Sequence, residues 1–111
     1  EYIMYYVYML RCQDGSLYTG VAADLHRRMH AHTAKTPACA RYTRSHPPVA
    51  MEAAWQTEMR ADALRLEALI KRLRRAQKLA LIAAPETVFT VFGEKLKGAE
   101  FLPLPPERLT L

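Results

Sequence analysis

Six side chains in this sequence are of types that can act on a phosphate ester: Tyr8, Tyr18, Arg28, His32, Tyr42 and Glu67. A planar guanidinium covers two non-bridging phosphate oxygens at once, which suits Arg28 to an anionic substrate. A phenol titrates at about 10, so Tyr8 or Tyr18 needs a guanidinium or a metal cation beside it to act as a base near neutrality. Glu67 is the sole acid among the seven charged residues from Arg65 to Lys78, and a hard divalent cation would find an oxygen ligand there. Each of these residues also has a plainer use. Strand tyrosines usually pack, with the hydroxyl at the water edge. Arg28 lies one helical turn from Asp24, and Glu67 one turn from Lys71, a pairing worth ~0.3–0.5 kcal/mol. His26 and His30 stand at i, i+4, but two exposed histidines with no third ligand nearby read as solvated rather than as a zinc site.

These residues need elements to hold them. Tyr6, Tyr8 and Leu10 alternate with Val7 and Met9, the period of a strand, and Leu17 to Val21 reads as its return strand. A two-residue Asp14-Gly15 loop would put Tyr8 and Tyr18 on opposite faces of the hairpin. A three-residue loop with a left-handed Gly15 pairs Tyr8 with Gly20 and Leu10 with Tyr18, so that both tyrosines share a face. The three-residue loop is favoured. Asp24 then caps a helix on which Leu25, Arg28, Met29 and His32 share one side. Ala34 to Pro48 is a basic loop, with room for a short helical turn, that carries Tyr42 between Arg41 and Arg44. Val49 to Gln56 reads as a third strand. Glu58 to Ala84 is helical with a break near Arg74, and Leu66, Leu69, Ile70 and Leu73 form its apolar face with Glu67 at the margin. Glu86 to Phe92 alternates like a short strand, and Pro103 to Pro106 is stiff and extended.

Together, Tyr6-Val7-Tyr8, Tyr18-Thr19-Gly20 and Arg28 resemble the signature of the GIY-YIG nuclease superfamily, most closely its small single-domain bacterial members. The likeness runs on through His32, Tyr42 and Glu67 to about residue 82. It implies an α+β fold, a three-stranded antiparallel sheet flanked by helices. It divides the chain into a nuclease-like domain over 1–84 and a C-terminal extension over 85–111 to which the likeness does not reach. By the same resemblance Tyr8, Tyr18, Arg28, His32, Tyr42 and Glu67 are the catalytic set. His32 supports the tyrosines, and Glu67 holds a single Mg²⁺ or Mn²⁺. One departure stands out: many members carry an asparagine after the helix, and this sequence contains none. Either a backbone group or a glutamine such as Gln77 replaces it, or activity is reduced.

Composition sets the outer bounds. With 111 residues, half of them apolar and 24% charged, the chain suits one soluble domain with one core. No apolar run is long enough for a transmembrane helix, and no signal-peptide pattern is present. A start at Glu1 points to a processed or trimmed terminus, and Cys12 and Cys39 read as reduced cytosolic thiols, with one disulfide left open. The net charge is +5, and 11 of the 16 basic residues fall in the windows 24–48 and 65–78. Such windows are either solvated faces or the footprint of a polyanion. Arg27, Arg41, Arg44, Lys71, Arg72 and Arg75 are the candidate nucleic-acid contacts.

The reading is therefore a metal-dependent DNA endonuclease, cytoplasmic, with a place in repair or recombination, and the sequence leaves open whether its substrate is branched, damaged or plain duplex DNA, or RNA. No base-reading element is visible, so recognition through backbone or structure is expected. The rivals are a non-catalytic nucleic-acid-binding module of the same fold and a protein-interaction adaptor that uses the tail. The tail itself could pack back, extend a sheet edge or mediate self-association.

Overall fold

Gly15 sets the register of the first hairpin. In the computed structural model, which describes residues 3–35 and 40–111, Gly15 takes φ 84°. Its N–H donates to Cys12 O at 2.9 Å, and Cys12 N–H donates to Ser16 O at 2.9 Å. The result is the three-residue loop, since a left-handed residue after a tight turn costs glycine nothing. Strand β1 (Tyr5–Cys12) and strand β2 (Leu17–Ala22) then pair Tyr8 with Gly20 and Leu10 with Tyr18, as expected. Asp24 caps helix α1 (Leu25–Ala34) by accepting Arg27 N–H at 3.0 Å, and a left-handed Lys35 ends it.

The short helical turn in the basic segment is helix α2 (Arg41–Ser45). Strand β3 (Pro48–Thr57) runs antiparallel along the other side of β1. Opposite Met9 and Leu10 the register skips Glu52, a bulge that leaves Met51 in the same cluster as Leu10. Glu52 pairs at the surface with Arg11 at 3.8 Å. The helical stretch after β3 breaks where the sequence suggests, into α3 (Arg60–Lys71) and α4 (Arg75–Ala83).

Alternation along β1 divides the interior in two. Val7 and Met9, with Ala53 and Trp55 of β3, pack under Leu66 and Ile70 of α3 and Leu81 of α4. Tyr8 and Leu10 point the other way and meet Met29 of α1, Met51 and Ala54. The sheet thus carries α1 on one face and α3 and α4 on the other.

The tail departs from expectation. Residues 86–92, read as a strand from their alternation, instead form a 3-10 turn (Pro85–Thr87) and helix α5 (Val88–Phe92). Val88 and Phe92 are four apart and both buried against the α3 face, so the helical period is the one that packing uses. Seven residues of alternation cannot exclude it. Trp55 Nε1–H donates to Pro85 O at 2.9 Å and anchors the turn. Among the described residues the sheet has four strands rather than three, in the order β2-β1-β3-β4. The added β4 (Leu102–Pro103) lies on the free edge of β3. Of the three options for the tail, packing back and extending the edge are both realised. Phe101 belongs to the α3-side core, while Leu104 and Leu109 belong to the α1-side cluster.

Cys12 is buried and free, while Cys39 and Pro37 lie outside the described residues. Among the described residues no helix is long and apolar enough to cross a membrane.

Candidate functional site

The α1 face of the hairpin gathers five of the six candidate side chains. Gly20 makes this possible: a Cβ there would collide with Tyr8 Oη. The missing side chain lets the Tyr8 ring lie flat across the neighbouring strand. Tyr8 Oη sits 2.8 Å from His32 Nε2 and accepts from Arg28 Nε–H at 3.3 Å. One helical turn along the inner side of α1 separates Arg28 from His32, so both meet the same phenol. The His32 ring lies edge-on to both tyrosines, with centroids at 5.7 Å from Tyr8 and 5.6 Å from Tyr18. Tyr18 in turn stacks on Tyr42 of α2 at 5.7 Å, and Tyr42 stacks on His46 at 4.0 Å.

Electrostatics sort these groups into roles. Burial pushes the Tyr8 hydroxyl up to about 12, with Arg28 pulling only partly the other way. Tyr8 is thus a neutral phenol at rest, and the phenolate expected beside a guanidinium is not the resting form. His32 is pushed down to about 4, by burial first and by the Arg28 charge second. At neutral pH it is an uncharged imidazole, with a nitrogen facing the Tyr8 hydroxyl.

Glu67 reaches the site from the other layer. It projects from α3 at the β2 edge, and there it lines a cleft of about 320 Å³ together with Tyr18, Arg28, Arg60 and Leu64. Its carboxylate also pairs with Lys71 at 3.3 Å, so the plainer use is realised as well. Lys71 is half exposed and can yield to a cation of higher charge. A second cleft of about 470 Å³ adjoins the first, sharing Arg28 and adding Arg27 and His30. A larger one of about 520 Å³, beside β3 and β4, is lined by Glu58, Asp62 and Glu100, an acidic wall unsuited to a polyanion.

Among the described residues no cluster of three or more His, Cys, Asp or Glu could cage an ion. The donor chemistry still fits a hydrated Mg²⁺ or Mn²⁺. One carboxylate at the wall of an anion-sized cleft is enough for an ion that takes its other ligands from water and phosphate.

The remaining candidates scatter. Arg27 lines the second cleft, Arg41 and Arg44 stand exposed on α2, and Arg72 and Arg75 stand exposed at the α3–α4 corner. Gln77, weighed as a replacement for the absent asparagine, is exposed, and its Oε1 accepts Arg74 N–H at 2.9 Å to cap α4. It lines neither basic cleft. Sequence reasoning missed Thr43, whose Oγ1 is 2.6 Å from His32 Nδ1, and His46 beneath Tyr42. The spacing of Tyr42 and His46, one helical turn, was the available signal for the latter.

Residues 4–80 match the family described as the GIY-YIG catalytic domain. The chain belongs to the GIY-YIG family. Membership implies a nuclease-type function, in a family whose members generally depend on a divalent metal and act on DNA. Similar proteins include the UPF0213 protein XAC3202 of Xanthomonas axonopodis pv. citri, 49% identical over 76% of this chain and 81% of that protein. The UPF0213 protein FN1575 of Fusobacterium nucleatum is 41% identical over 75% of this chain and 81% of its own length. Among solved structures, the solution NMR structure of the UPF0213 protein BH0048 from Bacillus halodurans covers 82% of this chain and 98% of that one, at 34% identity and a TM-score of 0.49.

Proposed function

We propose that this GIY-YIG protein is a metal-dependent endonuclease that hydrolyses phosphodiester bonds in DNA. It would follow backbone or shape rather than base sequence, in a cytoplasmic repair or recombination role. One observation carries the reading. Arg28 holds Tyr8 by a hydrogen bond and also lines the cleft that Glu67 and Tyr18 line. A phosphodiester in that cleft would meet a guanidinium, a phenol and a carboxylate together.

Arg28 neutralises the non-bridging oxygens, and the half-buried Tyr18 hydroxyl donates to one of them. Tyr8 orients the attacking water and takes its proton while passing its own to His32 Nε2. A buried phenol can do this as a relay without ever standing as a phenolate. Tyr42 braces the outer face of Tyr18 by stacking. Glu67 would hold the Mg²⁺ or Mn²⁺, which when bound would supply charge stabilisation to the phosphoryl group. Arg27, Arg41 and Arg44 contact flanking phosphates on the α1 side, and Lys71, Arg72 and Arg75 on the α3 side.

The alternative is a non-catalytic nucleic-acid-binding module. It is favoured by the absent asparagine and by the engagement of Gln77 in a helix cap. A panel of labelled plain, branched and damaged duplexes, single strands and RNA, incubated with Mg²⁺ or Mn²⁺, separates the two. Metal-dependent cleavage of any DNA member supports the endonuclease. Salt-sensitive binding with no cleavage of any member supports the module.

A further inference from the structure

The hydrogen bonds behind Tyr8 form a chain that runs through both ring nitrogens of His32 to Thr43. Thr43 is fully buried on α2, and its hydroxyl donates to Ala40 O at 3.1 Å. A carbonyl has no hydrogen to give, whereas His32 Nδ1, 2.6 Å from the same hydroxyl, gives or takes one according to its tautomer. If the single hydroxyl hydrogen of Thr43 stays on Ala40 O, Thr43 turns a lone pair toward Nδ1, and the hydrogen in that short contact belongs to Nδ1. An uncharged imidazole carries one ring hydrogen, which leaves Nε2 bare at 2.8 Å from Tyr8 Oη. Tyr8 is then the donor in that contact. At the near end Arg28 can only donate, which keeps the oxygen of Tyr8 an acceptor. In that arrangement every link from Arg28 to the Ala40 carbonyl runs the same way.

We propose that Thr43 is a positioning residue that holds His32 as its Nδ1–H tautomer, so that the bare Nε2 is the group that receives the Tyr8 proton. The functional consequence rests on the endonuclease reading. When Tyr8 oxygen takes a proton from the attacking water, the Tyr8 hydrogen moves to His32 Nε2. The products are a hydroxide and an imidazolium whose Nδ1–H still points at Thr43. In the opposite tautomer Nε2 would carry a hydrogen aimed at Tyr8, and the relay would have no acceptor. Thr43 lines neither basic cleft, and its hydroxyl meets His32, so it acts through His32.

Two variants and one spectrum test this. Two-bond nitrogen–proton correlations on ¹⁵N-labelled wild type at neutral pH should show His32 with a protonated Nδ1 and a bare Nε2. Thr43→Val keeps the volume but removes the acceptor, so the Nε2–H form should appear. Nicking should fall by ~100-fold, the low end of what general acid–base catalysis contributes. Thr43→Ser keeps the hydroxyl and should restore both the Nδ1–H pattern and most of the rate. Wild-type His32 in the Nε2–H form overturns the proposal, as does a folded Thr43→Val protein whose His32 spectrum is unchanged. The spectra need no turnover. A wild type that never nicks yet shows the Nδ1–H form counts against the endonuclease and leaves the positioning role standing.

Discussion

The two faces of the sheet are built from the same strands and do opposite work. Under α3 and α4 the strand residues are Val7, Met9, Ala53 and Trp55, and the helix residues that meet them are Ala63, Leu66, Ile70 and Leu81, all fully buried. Under α1 the corresponding positions hold Tyr8, Leu10, Tyr18 and Gly20, facing Met29 and His32. The first face excludes water and is stabilised by apolar area. The second buries hydroxyls and an imidazole, a costly arrangement unless each polar atom finds a partner. Here they do, in the run from Arg28 through Tyr8 and His32 to Thr43. One face supplies stability; the other puts a little of that stability into a polar cluster held ready for an anion.

If that division holds, changing the site should alter turnover with little effect on folding at neutral pH, and changing the dry face should do the reverse. The largest expected effect is on Glu67, the carboxylate that α3 brings to the cleft lined by Arg28. Glu67→Gln keeps volume and removes the ligand charge. Nicking should drop by several powers of ten, since metal charge stabilisation is worth several kcal/mol and each ~1.4 kcal/mol is tenfold. The melting temperature should hardly move, because the Lys71 partner is half exposed and a solvated i, i+4 pair contributes little. Equal nicking rates in two equally folded proteins would reduce Glu67 to a surface ion-pair residue.

Next comes the mirror experiment. Leu66→Ala, at the centre of the dry face, should cost ~2–5 kcal/mol in denaturant unfolding. The remaining folded protein should nick at the wild-type rate. A specific loss of turnover with little destabilisation would mean that the two faces are coupled.

The third effect is on pH. His32 is buried uncharged, and its folded value of about 4 lies below the ordinary 6.5. Between those values the unfolded chain binds a proton that the native state refuses, so stability is full above about 6.5 and falls as pH drops toward 4. The whole loss is on the order of 3 kcal/mol. His32→Gln should flatten that stretch of the stability–pH curve, while Leu66→Ala should only lower it. A slope unchanged by His32→Gln would place the acid sensitivity elsewhere.

The smallest effect concerns charges that belong to neither face. Arg72 and Arg75 stand at the α3–α4 corner, and replacing both with Gln should lower the slope of log affinity against log salt by about two phosphate contacts. An unchanged slope would confine DNA to the α1 side, along the cleft that Arg27 lines.

Much of the local structure could be read directly from residue types, because local signals decided it. Asp24 ahead of a helical pattern, Gly15 in the loop and the break near Arg74 each lie within a few residues of what they specify. Residues 86–92 misled because seven residues of alternation are compatible with a helix once a core is there to receive Val88 and Phe92. The fourth strand had only a faint sequence signal, the extended character from Pro103 onward: its two residues pair because the edge of β3 is open beside them.

The site divides along the same line. Residue identities and hairpin register already implied that Tyr8, Tyr18, Arg28 and His32 share one face, since strand and helix periods are properties of the chain itself. Only the tertiary structure decided that α3 lies on the opposite face yet extends Glu67 to the shared β2 edge. It alone closed the Tyr8–His32–Thr43 run across 24 and 11 residues of sequence. It also set the protonation of that run, because burial, which no spacing encodes, is what keeps the Tyr8 proton on and the His32 proton off.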